Sequence, residues 1–243
     1  MCVYVCSDFH GFMELYHKIK EKLNPEDIVY FLGDAADRGP MGWELIKTIY
    51  NDPQFVYIKG NHEDMLVQAV KDHINPPNYP SQAYERLEWN GGEQTFCDFI
   101  KEPNISEWID KIDTLPVIKL YKNKDNKLIL LSHAGFTPFI DTDTNDMYIP
   151  DKLDLIWDRE HFYDDWEIGV DNLYIVHGHT PMQNLHRELM LPSKEFRFSA
   201  YTYCDGHKIC IDCGTYRTGL ACLLNLDTFE YEIIELDENI YCF

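Results

Sequence analysis

The sequence predicts an α/β fold organised around a parallel β-sheet. Over the first 75 residues, apolar strand-like runs alternate with segments of helical spacing, and such alternation is typical of parallel sheets. Glycine-flanked polar motifs follow five strand-like runs along the chain, which is where α/β proteins place their binding sites. The 243 residues are enough for one large domain with a sizeable core.

Three strand–helix units make up the first part of the chain. The strand-like runs lie at residues 3–6, 27–32 and 54–58. After the first run, Phe12, Leu15 and Ile19 recur at helical spacing, and the other two runs are followed by similar patterns. Because parallel strands connected by right-handed crossovers end at one edge of a sheet, the polar residues that follow them are expected to lie close together.

The second part of the chain is less regular. Residues 71–116 contain short segments of helical spacing, which we interpret as a helical cap or insertion within one domain spanning residues 1–243. A hairpin, an acidic irregular stretch, a buried strand and a series of alternating strands are then predicted. These lie at residues 116–131, 137–172, 173–176 and 196–235.

The chain is strongly acidic, with 42 Asp and Glu against 21 Lys and Arg and a formal net charge of -21. This charge argues against nucleic acid or an anionic membrane as a partner. No apolar stretch approaches the roughly 20 residues that span a bilayer, and the sequence opens directly with a strand. The eight cysteines lie mostly among apolar residues, as free buried thiols do. We therefore expect a soluble cytoplasmic protein.

Six side chains with metal-binding chemistry follow the predicted strands: Asp8, His10, Asp34, Asn61, His133 and His179. Imidazole, carboxylate and amide ligands without cysteine suit Mn²⁺, Fe²⁺, Zn²⁺ or Ni²⁺. Six ligands are too many for one catalytic ion that needs open positions, but they suit two ions that share a bridging carboxylate. Two-metal sites of this kind can hold a phosphoryl group and activate a water molecule.

Five motifs occur in a fixed order along nearly the whole chain: Asp8-Phe9-His10-Gly11, Gly33-Asp34-Ala35-Ala36-Asp37-Arg38-Gly39, Gly60-Asn61-His62-Glu63, Ser132-His133-Ala134-Gly135 and Gly178-His179-Thr180. In this order they resemble the metal-dependent phosphoprotein phosphatases within the calcineurin-like metallophosphoesterases. The similarity is greatest to the compact bacterial and phage-type serine/threonine phosphatases. The resemblance implies a four-layer α/β/β/α sandwich with mixed sheets and an active site at the carboxyl ends of the strands.

The resemblance also implies how the ligands divide between two divalent ions, for which Mn²⁺ is the first expectation. Asp34 would bridge the two ions. The other ligands would form a pair for the first ion and a trio for the second: Asp8 and His10, then Asn61, His133 and His179.

Four further residues would act on the substrate if the resemblance holds. Arg38 and Arg159 would bind phosphoryl oxygens, because a guanidinium group matches their geometry. His62 would protonate the leaving oxygen, and Asp37 would orient the His62 imidazole and favour its protonated form. A metal-activated hydroxide would then attack phosphorus in a single in-line step without a phosphoenzyme.

Some of these residues also have simpler explanations. Asp8 could be a helix cap, and Arg159 could be a salt-bridge partner within an acidic stretch. His177 is interpreted as a residue behind the metal ligands. The segment 89–92, Trp-Asn-Gly-Gly, could lie near the substrate or form a tight turn with a buried tryptophan.

We expect a serine/threonine protein phosphatase that acts on phosphorylated proteins or small phosphoesters. The alternative is a dinucleoside polyphosphate hydrolase, such as a symmetrical diadenosine tetraphosphate hydrolase, which would use the same site. That substrate calls for further basic and aromatic residues, which the acidic residues 141–171 do not obviously supply, although Tyr148, Trp157 and Tyr163 could stack on a base. A third hypothesis is a metal-binding regulator without activity, which the retained catalytic histidine and aspartate disfavour. The sequence leaves the oligomeric state open.

Overall fold

Two five-stranded β-sheets form the centre of the protein. The computed structural model describes residues 1–79, 81–141, 143–144, 146–164, 172–184 and 200–237. The strands are β1 (Val3–Cys6), β2 (Ile28–Phe31), β3 (Phe55–Tyr57), β4 (Ile118–Lys122), β5 (Leu128–Ser132), β6 (Phe139–Ile140), β7 (Met147–Tyr148), β8 (Leu173–His177), β9 (Tyr201–Tyr203), β10 (Lys208–Cys210), β11 (Leu220–Asn225) and β12 (Tyr231–Glu235). The helices are α1 (Met13–Lys22), α2 (Gly42–Asn51), α3 (Asn61–Ile74), α4 (Ala83–Trp89), α5 (Glu93–Phe99), α6 (Ile105–Asp113), α7 (Asp154–Trp157) and α8 (Thr215–Thr218), with a 3₁₀ turn at Glu160–Phe162.

The first sheet contains the three predicted strand–helix units. Its strand order is β12-β11-β1-β2-β3. Strands β1, β2 and β3 are parallel, whereas β11 and β12 extend the other edge in antiparallel orientation. Helices α1, α2 and α3 follow the three parallel strands in turn. The carboxyl ends of these strands therefore lie at one edge, as the sequence predicts.

The second sheet is also mixed, with the strand order β4-β5-β8-β10-β9. Strands β5, β8 and β10 run parallel in its centre, while β4 and β9 pair antiparallel at its two edges. The predicted hairpin corresponds to β4–β5, and β9 and β10 form a second antiparallel pair. The loops after β5 and β8 meet through a 2.8 Å hydrogen bond from Gly178 N–H to the His133 carbonyl.

The facing sides of the two sheets bury one apolar layer. Val5 and Leu32 belong to the first half of the chain, and Leu131 and Val176 to the second, yet all four are fully buried in the same cluster. Complete burial of one such side chain stabilises the folded state by about 1.5–3 kcal/mol. This layer therefore holds the two sheets, and the loops at their ends, in a fixed relation.

Helices cover the outer faces of both sheets. On the first sheet, Leu15 of α1 and Leu66 of α3 belong to the largest buried cluster. On the second, Leu155 of α7 packs with Leu130 and Ile175. The layers are thus helix, sheet, sheet and helix, which confirms the predicted α/β/β/α fold. No helix in the described parts of the chain is long and apolar enough to cross a membrane.

The segment at residues 71–116 contains helices α4, α5 and α6, close to the predicted helical segments. Its aromatic side chains pack against α2: the ring of Trp43 stacks on Phe99 at 4.2 Å between centroids and meets Trp108 edge-on at 5.2 Å. The segment is therefore anchored to the core. Its interpretation as a cap or insertion within one domain remains a prediction.

Two sequence expectations need correction. The acidic stretch at residues 137–172 is not wholly irregular, because it contains β6, β7, α7 and a 3₁₀ turn. Trp89 is 91% exposed rather than buried, because it ends a short helix whose apolar contact is made by Leu87. The predicted strand residues 196–199 and the acidic residues 165–171 lie outside the described residues.

Candidate metal centre

The loops after β1, β2, β5 and β8, together with the first turn of α3, bring the predicted ligands to one edge of the sheets. All six side chains lie in residues that are at most 5% exposed: Asp8, His10, Asp34, Asn61, His133 and His179. Burying so many ionisable groups together is costly unless they pair with each other or with a cation. The same six residues that the strand pattern singled out are therefore neighbours in the fold.

The backbone of these loops adopts an uncommon conformation. Six predicted site residues have positive φ angles between 46° and 70°: Asp8, His10, Asp34, Asp37, Arg38 and His179. A left-handed conformation costs a non-glycine residue on the order of 1–3 kcal/mol and persists where the surrounding structure enforces it. Concentration of such residues at one sheet edge is typical of a functional site.

Two groups of potential ligands share the Asp34 carboxylate. On one side, the Nε2 atoms of His10 and His62 lie 3.9 and 3.7 Å from Asp34 Oδ2. On the other side, His133 Nε2 lies 3.3 Å from Asp34 Oδ1, and His179 completes the group. Within each group the ligand atoms lie within 4.8 Å of one another. The two oxygens of Asp34 thus face different groups, an arrangement compatible with a carboxylate that bridges two ions.

Hydrogen bonds on the far side of two imidazoles determine which nitrogen faces the centre. His10 Nδ1 lies 3.0 Å from the Ala36 carbonyl, and His133 Nδ1 lies 2.6 Å from the Leu32 carbonyl. Because a carbonyl oxygen only accepts, each Nδ1 carries the hydrogen. Nε2 is then the nitrogen of each ring that can bind an ion once it carries no proton. Such hydrogen bonds to Nδ1 orient metal-binding histidines.

Asn61 and His179 complete the second group. Asn61 Oδ1 lies 2.8 Å from His133 Nε2 and 3.0 Å from His179 Nδ1. His179 Nε2 is buried and has no hydrogen-bond partner in the described residues. A buried nitrogen without a partner is unfavourable, whereas Nδ1 is the nitrogen of His179 that faces Asn61. The donor set of carboxylate, imidazole and amide groups fits a divalent ion.

The ionisable groups of the centre shift one another strongly. Burial would raise the pKa of Asp34, but the imidazoles of His133 and His62 outweigh burial and hold that pKa well below its usual range. Burial would lower the pKa of His133, yet the Asp34 carboxylate raises it to about 9. Burial, followed by the charge of Arg38, lowers the pKa of His10. A neutral imidazole is the form that binds metals.

Asp8 lies beside these groups without belonging to either set of three. Its carboxylate accepts the His179 backbone N–H at 3.2 and 3.3 Å, and burial and then Asp212 raise its pKa. Asp212 is itself buried and accepts the Gly214 N–H at 2.8 Å, while burial raises its pKa to about 6. Sequence reasoning missed Asp212, although it follows a strand-like run and nearly adjoins a glycine. The role of Asp8 as a ligand stays a prediction.

His62 occupies the place next to His10 and Asp34, and Asp37 and Arg38 hold it there. Its Nδ1 lies 2.7 Å from Asp37 Oδ2. The Arg38 guanidinium donates to His62 Nε2 at 3.0 Å and to His10 Nε2 at 2.8 Å. His62 Nε2 therefore faces the same space as the predicted ligands. From this position it can transfer a proton or bind an ion.

Glu63 fixes the loop that carries Asp34. Its buried carboxylate accepts hydrogen bonds of 2.8–2.9 Å from the backbone N–H groups of Asp34, Ala35 and Gly60 and from the Tyr57 hydroxyl. One side chain thus joins the loop after β2, the end of β3 and the start of α3. It positions the predicted ligands without facing the centre itself.

A buried chain of hydrogen bonds lies behind the second group. His177 Nε2 is 2.7 Å from the Tyr203 hydroxyl, which is 3.0 Å from His161 Nδ1. His161 Nε2 in turn lies 2.8 Å from the Ala134 carbonyl. Burial lowers the pKa of His177 to about 3 and that of His161 to about 2, so both rings are neutral near pH 7. The chain connects the loops that carry His133 and His179.

Several arginines have no carboxylate partner in the described parts of the chain. No described carboxylate oxygen lies within 4.0 Å of Arg38, Arg86, Arg159 or Arg217; some lysines, such as Lys22, form ion pairs, whereas others, such as Lys208, do not. Arg159 is exposed just after α7, and its charge adds to burial and His133 in lowering the pKa of His179. Unpaired guanidinium groups in a chain of net charge -21 are well suited to bind an anionic ligand.

Known phosphoesterases are similar to this chain in sequence. The model of the calcineurin-like phosphoesterase family matches residues 1–209. A symmetrical bis(5'-nucleosyl)-tetraphosphatase from Buchnera aphidicola (subsp. Acyrthosiphon pisum, strain Tuc7) is 29% identical over 142 residues, which is 57% of this chain and 46% of the relative. Serine/threonine-protein phosphatase 2 from Escherichia coli (strain K12) is 34% identical over 72 residues, covering 28% of this chain and 33% of the relative. The chain spans about half the length or less of these curated relatives.

Solved structures share the fold at lower identity. A putative diadenosine tetraphosphatase superimposes with a TM-score of 0.59 and 13% identity over 97% of this chain and 94% of that one. A serine/threonine phosphatase from Saccharomyces cerevisiae superimposes with a TM-score of 0.57 and 16% identity, over 97% of this chain and 80% of that one. Because the family model covers most of the chain, the protein belongs to the calcineurin-like phosphoesterase family, as its motifs predict.

Proposed function

We propose that this phosphoesterase hydrolyses dinucleoside polyphosphates. The sequence alone favoured a protein phosphatase, but the similarity to symmetrical tetraphosphatases supports the alternative. The structural observation behind the proposal is a cavity of about 330 Å³ lined by Trp157, Tyr79 and Arg86. The ring of Trp157 also lies 6.1 Å from the His179 ring. The cavity therefore adjoins the predicted metal centre and offers both aromatic and basic walls.

Three helices and one loop build this cavity. Met65 and Gln68 come from α3, Tyr79 lies in the loop that follows α3, Arg86 comes from α4, and Trp157 ends α7. Residues three apart share one face of a helix. Met65 therefore lies on the same face of α3 as His62, one turn further along the helix. A nucleoside attached to the attacked phosphate would extend along this face. Its base could stack on an aromatic wall, and the amide of Gln68 could bond to its edge.

The chemistry follows from the groups at the centre. Two divalent ions, of which Mn²⁺, Fe²⁺, Zn²⁺ and Ni²⁺ suit the ligands, would lower the pKa of water and offset negative charge on the phosphoryl oxygens when bound. Arg38 and Arg159 would bind and orient those oxygens. As the new P–O bond forms, the bond to the leaving oxygen breaks, and His62 would donate a proton from Nε2 while Asp37 accepts from its Nδ1.

A serine/threonine protein phosphatase is the second candidate. It is favoured by the 34% identity to the Escherichia coli phosphatase over 72 residues. Both reactions would use the same ligands and arginines, so they differ in the leaving group and in the need for a base-binding cavity. A regulator without activity is the weakest candidate, because the 2.7 Å pair of His62 and Asp37 is the arrangement that a general acid requires.

Rates on three substrates separate these candidates. We expect the protein, supplied with Mn²⁺, to have a kcat/KM for diadenosine tetraphosphate at least tenfold above that for a phosphoserine peptide. p-Nitrophenyl phosphate has no nucleobase, so its rate of hydrolysis reports on the metal centre alone. Asp34→Asn should abolish all three activities, because it alters the bridging carboxylate. A higher rate on the peptide would favour the protein phosphatase, and no turnover of any substrate would favour the regulator.

The cavity is tested by removing one exposed aromatic wall. Tyr79→Ala should raise KM for diadenosine tetraphosphate about fivefold or more, because stacking of a base on an aromatic ring contributes about 1–3 kcal/mol. Trp89→Ala is the matched control, since Trp89 is also exposed but does not line this cavity. If both substitutions changed KM equally, the proposal that this cavity binds a nucleobase of the substrate would be contradicted.

A further inference from the structure

The short helix α8 presents an aromatic ring and a guanidinium group beside the predicted centre. The ring of Tyr216 lies 4.3 Å from Cζ of Arg38 and 6.0 Å from the ring of His10. Cζ of Arg217 lies 4.9 Å from the same Tyr216 ring. Two guanidinium groups therefore contact one aromatic ring, and one of them also contacts two residues of the predicted centre. Neither Tyr216 nor Arg217 was singled out by the sequence pattern.

The turn that carries these two residues is firmly held. Gly214 and Gly219 flank α8 with φ angles of +67° and +68°, a conformation that favours glycine. The Thr215 hydroxyl donates to the Leu220 carbonyl at 2.9 Å, and the Thr218 hydroxyl donates to the Cys213 carbonyl at 3.0 Å. Tyr216 and Arg217 thus have a fixed starting position relative to Arg38. Little ordering is needed before they can bind a ligand.

The charge of Arg217 is available to an anion. The residue is exposed, and no carboxylate oxygen of the described residues lies within 4.0 Å of it. Although the chain has 42 acidic residues, none of the described ones neutralises the Arg217 guanidinium group. Stacking on an aromatic face leaves the N–H donors at the edge of the guanidinium group free, and these match phosphate oxygens.

We propose that Arg217, held on the ring of Tyr216, binds the phosphate group next to the one that is attacked. This inference rests on the proposed function and assigns a residue to the recognition of the phosphoric anhydride chain of the substrate. Arg38 and Arg217 are separated by no more than the sum of their distances to the shared ring. A linear chain of phosphates would be long enough to reach both guanidinium groups across such a separation, whereas a phosphate monoester has no second phosphate for Arg217.

The first test compares an anhydride with a monoester. Arg217→Gln should lower kcat/KM for diadenosine tetraphosphate about ten times more than kcat/KM for p-nitrophenyl phosphate, because it removes charge-assisted hydrogen bonds to one phosphate. Arg217→Lys keeps the charge and should recover part of the loss. Lys22→Gln is the control, since this paired lysine ends α1 away from the centre. Equal losses on both substrates would overturn the proposal, because Arg217 would then act through Arg38.

The second test does not depend on turnover of a nucleotide. Inorganic tripolyphosphate and orthophosphate are compared as competitive inhibitors of p-nitrophenyl phosphate hydrolysis. Arg217→Gln should raise the inhibition constant of tripolyphosphate about ten times more than that of orthophosphate. If the protein cleaves no dinucleoside polyphosphate but this difference is found, the subsite stands and the proposed function fails. If both constants change equally, or neither changes, the subsite is wrong whatever the substrate.

Discussion

At the scale of the residue, His62 illustrates how one position permits two roles with different kinetics. A general acid matters most when the leaving oxygen is strongly basic, as it is for a serine alkoxide. His62→Asn should therefore lower kcat for a phosphoserine peptide about 10²–10⁴-fold. The loss for diadenosine tetraphosphate should be much smaller, because a nucleotide leaves as a weakly basic phosphate. Steady-state kinetics on both substrates measure this difference.

The same substitution has a second readout, because His62 lies close to His10 and Asp34. If His62 only transfers a proton, the metal content of His62→Asn should equal that of the unsubstituted protein by elemental analysis. His133→Asn serves as the reference for loss of a predicted ligand. A comparable loss of metal in both variants would assign His62 as a ligand and would remove the general acid from the mechanism.

At the scale of the element, the loop after β2 depends on Glu63 of α3. A glutamine there would turn an amide N–H₂ toward backbone N–H donors and leave at least one of them without an acceptor. Glu63→Gln should lower the free energy of unfolding by about 1–3 kcal/mol. Urea denaturation would measure the change. Glu107→Gln, which alters an exposed carboxylate paired with Lys111 at 2.8 Å, should stay within about 0.5 kcal/mol of the parent.

The elements also show what a sequence can predict. Asp34 and His133 were predictable because each follows an apolar run, and local periodicity places such residues at a strand end. Asp212 follows the same rule and could have been found. Tyr216 and Arg217 could not, because Tyr216 contacts Arg38 more than 170 positions earlier in the chain and Arg217 is connected to Arg38 only through that ring. Such contacts depend on how the two sheets pack, which periodicity does not encode.

At the scale of the whole molecule, the centre joins the two sheets. Asp34 follows a strand of the first sheet and His133 follows a strand of the second, and their side chains approach to 3.3 Å. The charged pair lies at the end of the apolar layer that Val5 and Leu131 share. Without ions, the proton on His133 therefore contributes to the attraction between the sheets. With ions, the same two residues would be connected through the metals.

This coupling predicts a pH dependence that metal should remove. The pKa of His133 is raised to about 9 in the folded protein, against about 6.5 in an unfolded chain. Its stabilising effect is fully present below pH 6.5 and is lost as pH rises through 9. For protein treated with EDTA, the free energy of unfolding in urea should fall by up to about 3 kcal/mol over that interval. His161 and His177 have lowered pKa values, so they affect stability only below pH 6.5. Between pH 6.5 and about 8, below the ordinary pKa of the buried thiols, Mn²⁺ should flatten the profile by replacing the proton, and His133→Asn should flatten it without metal; a steep profile of that variant in this range would contradict the assignment.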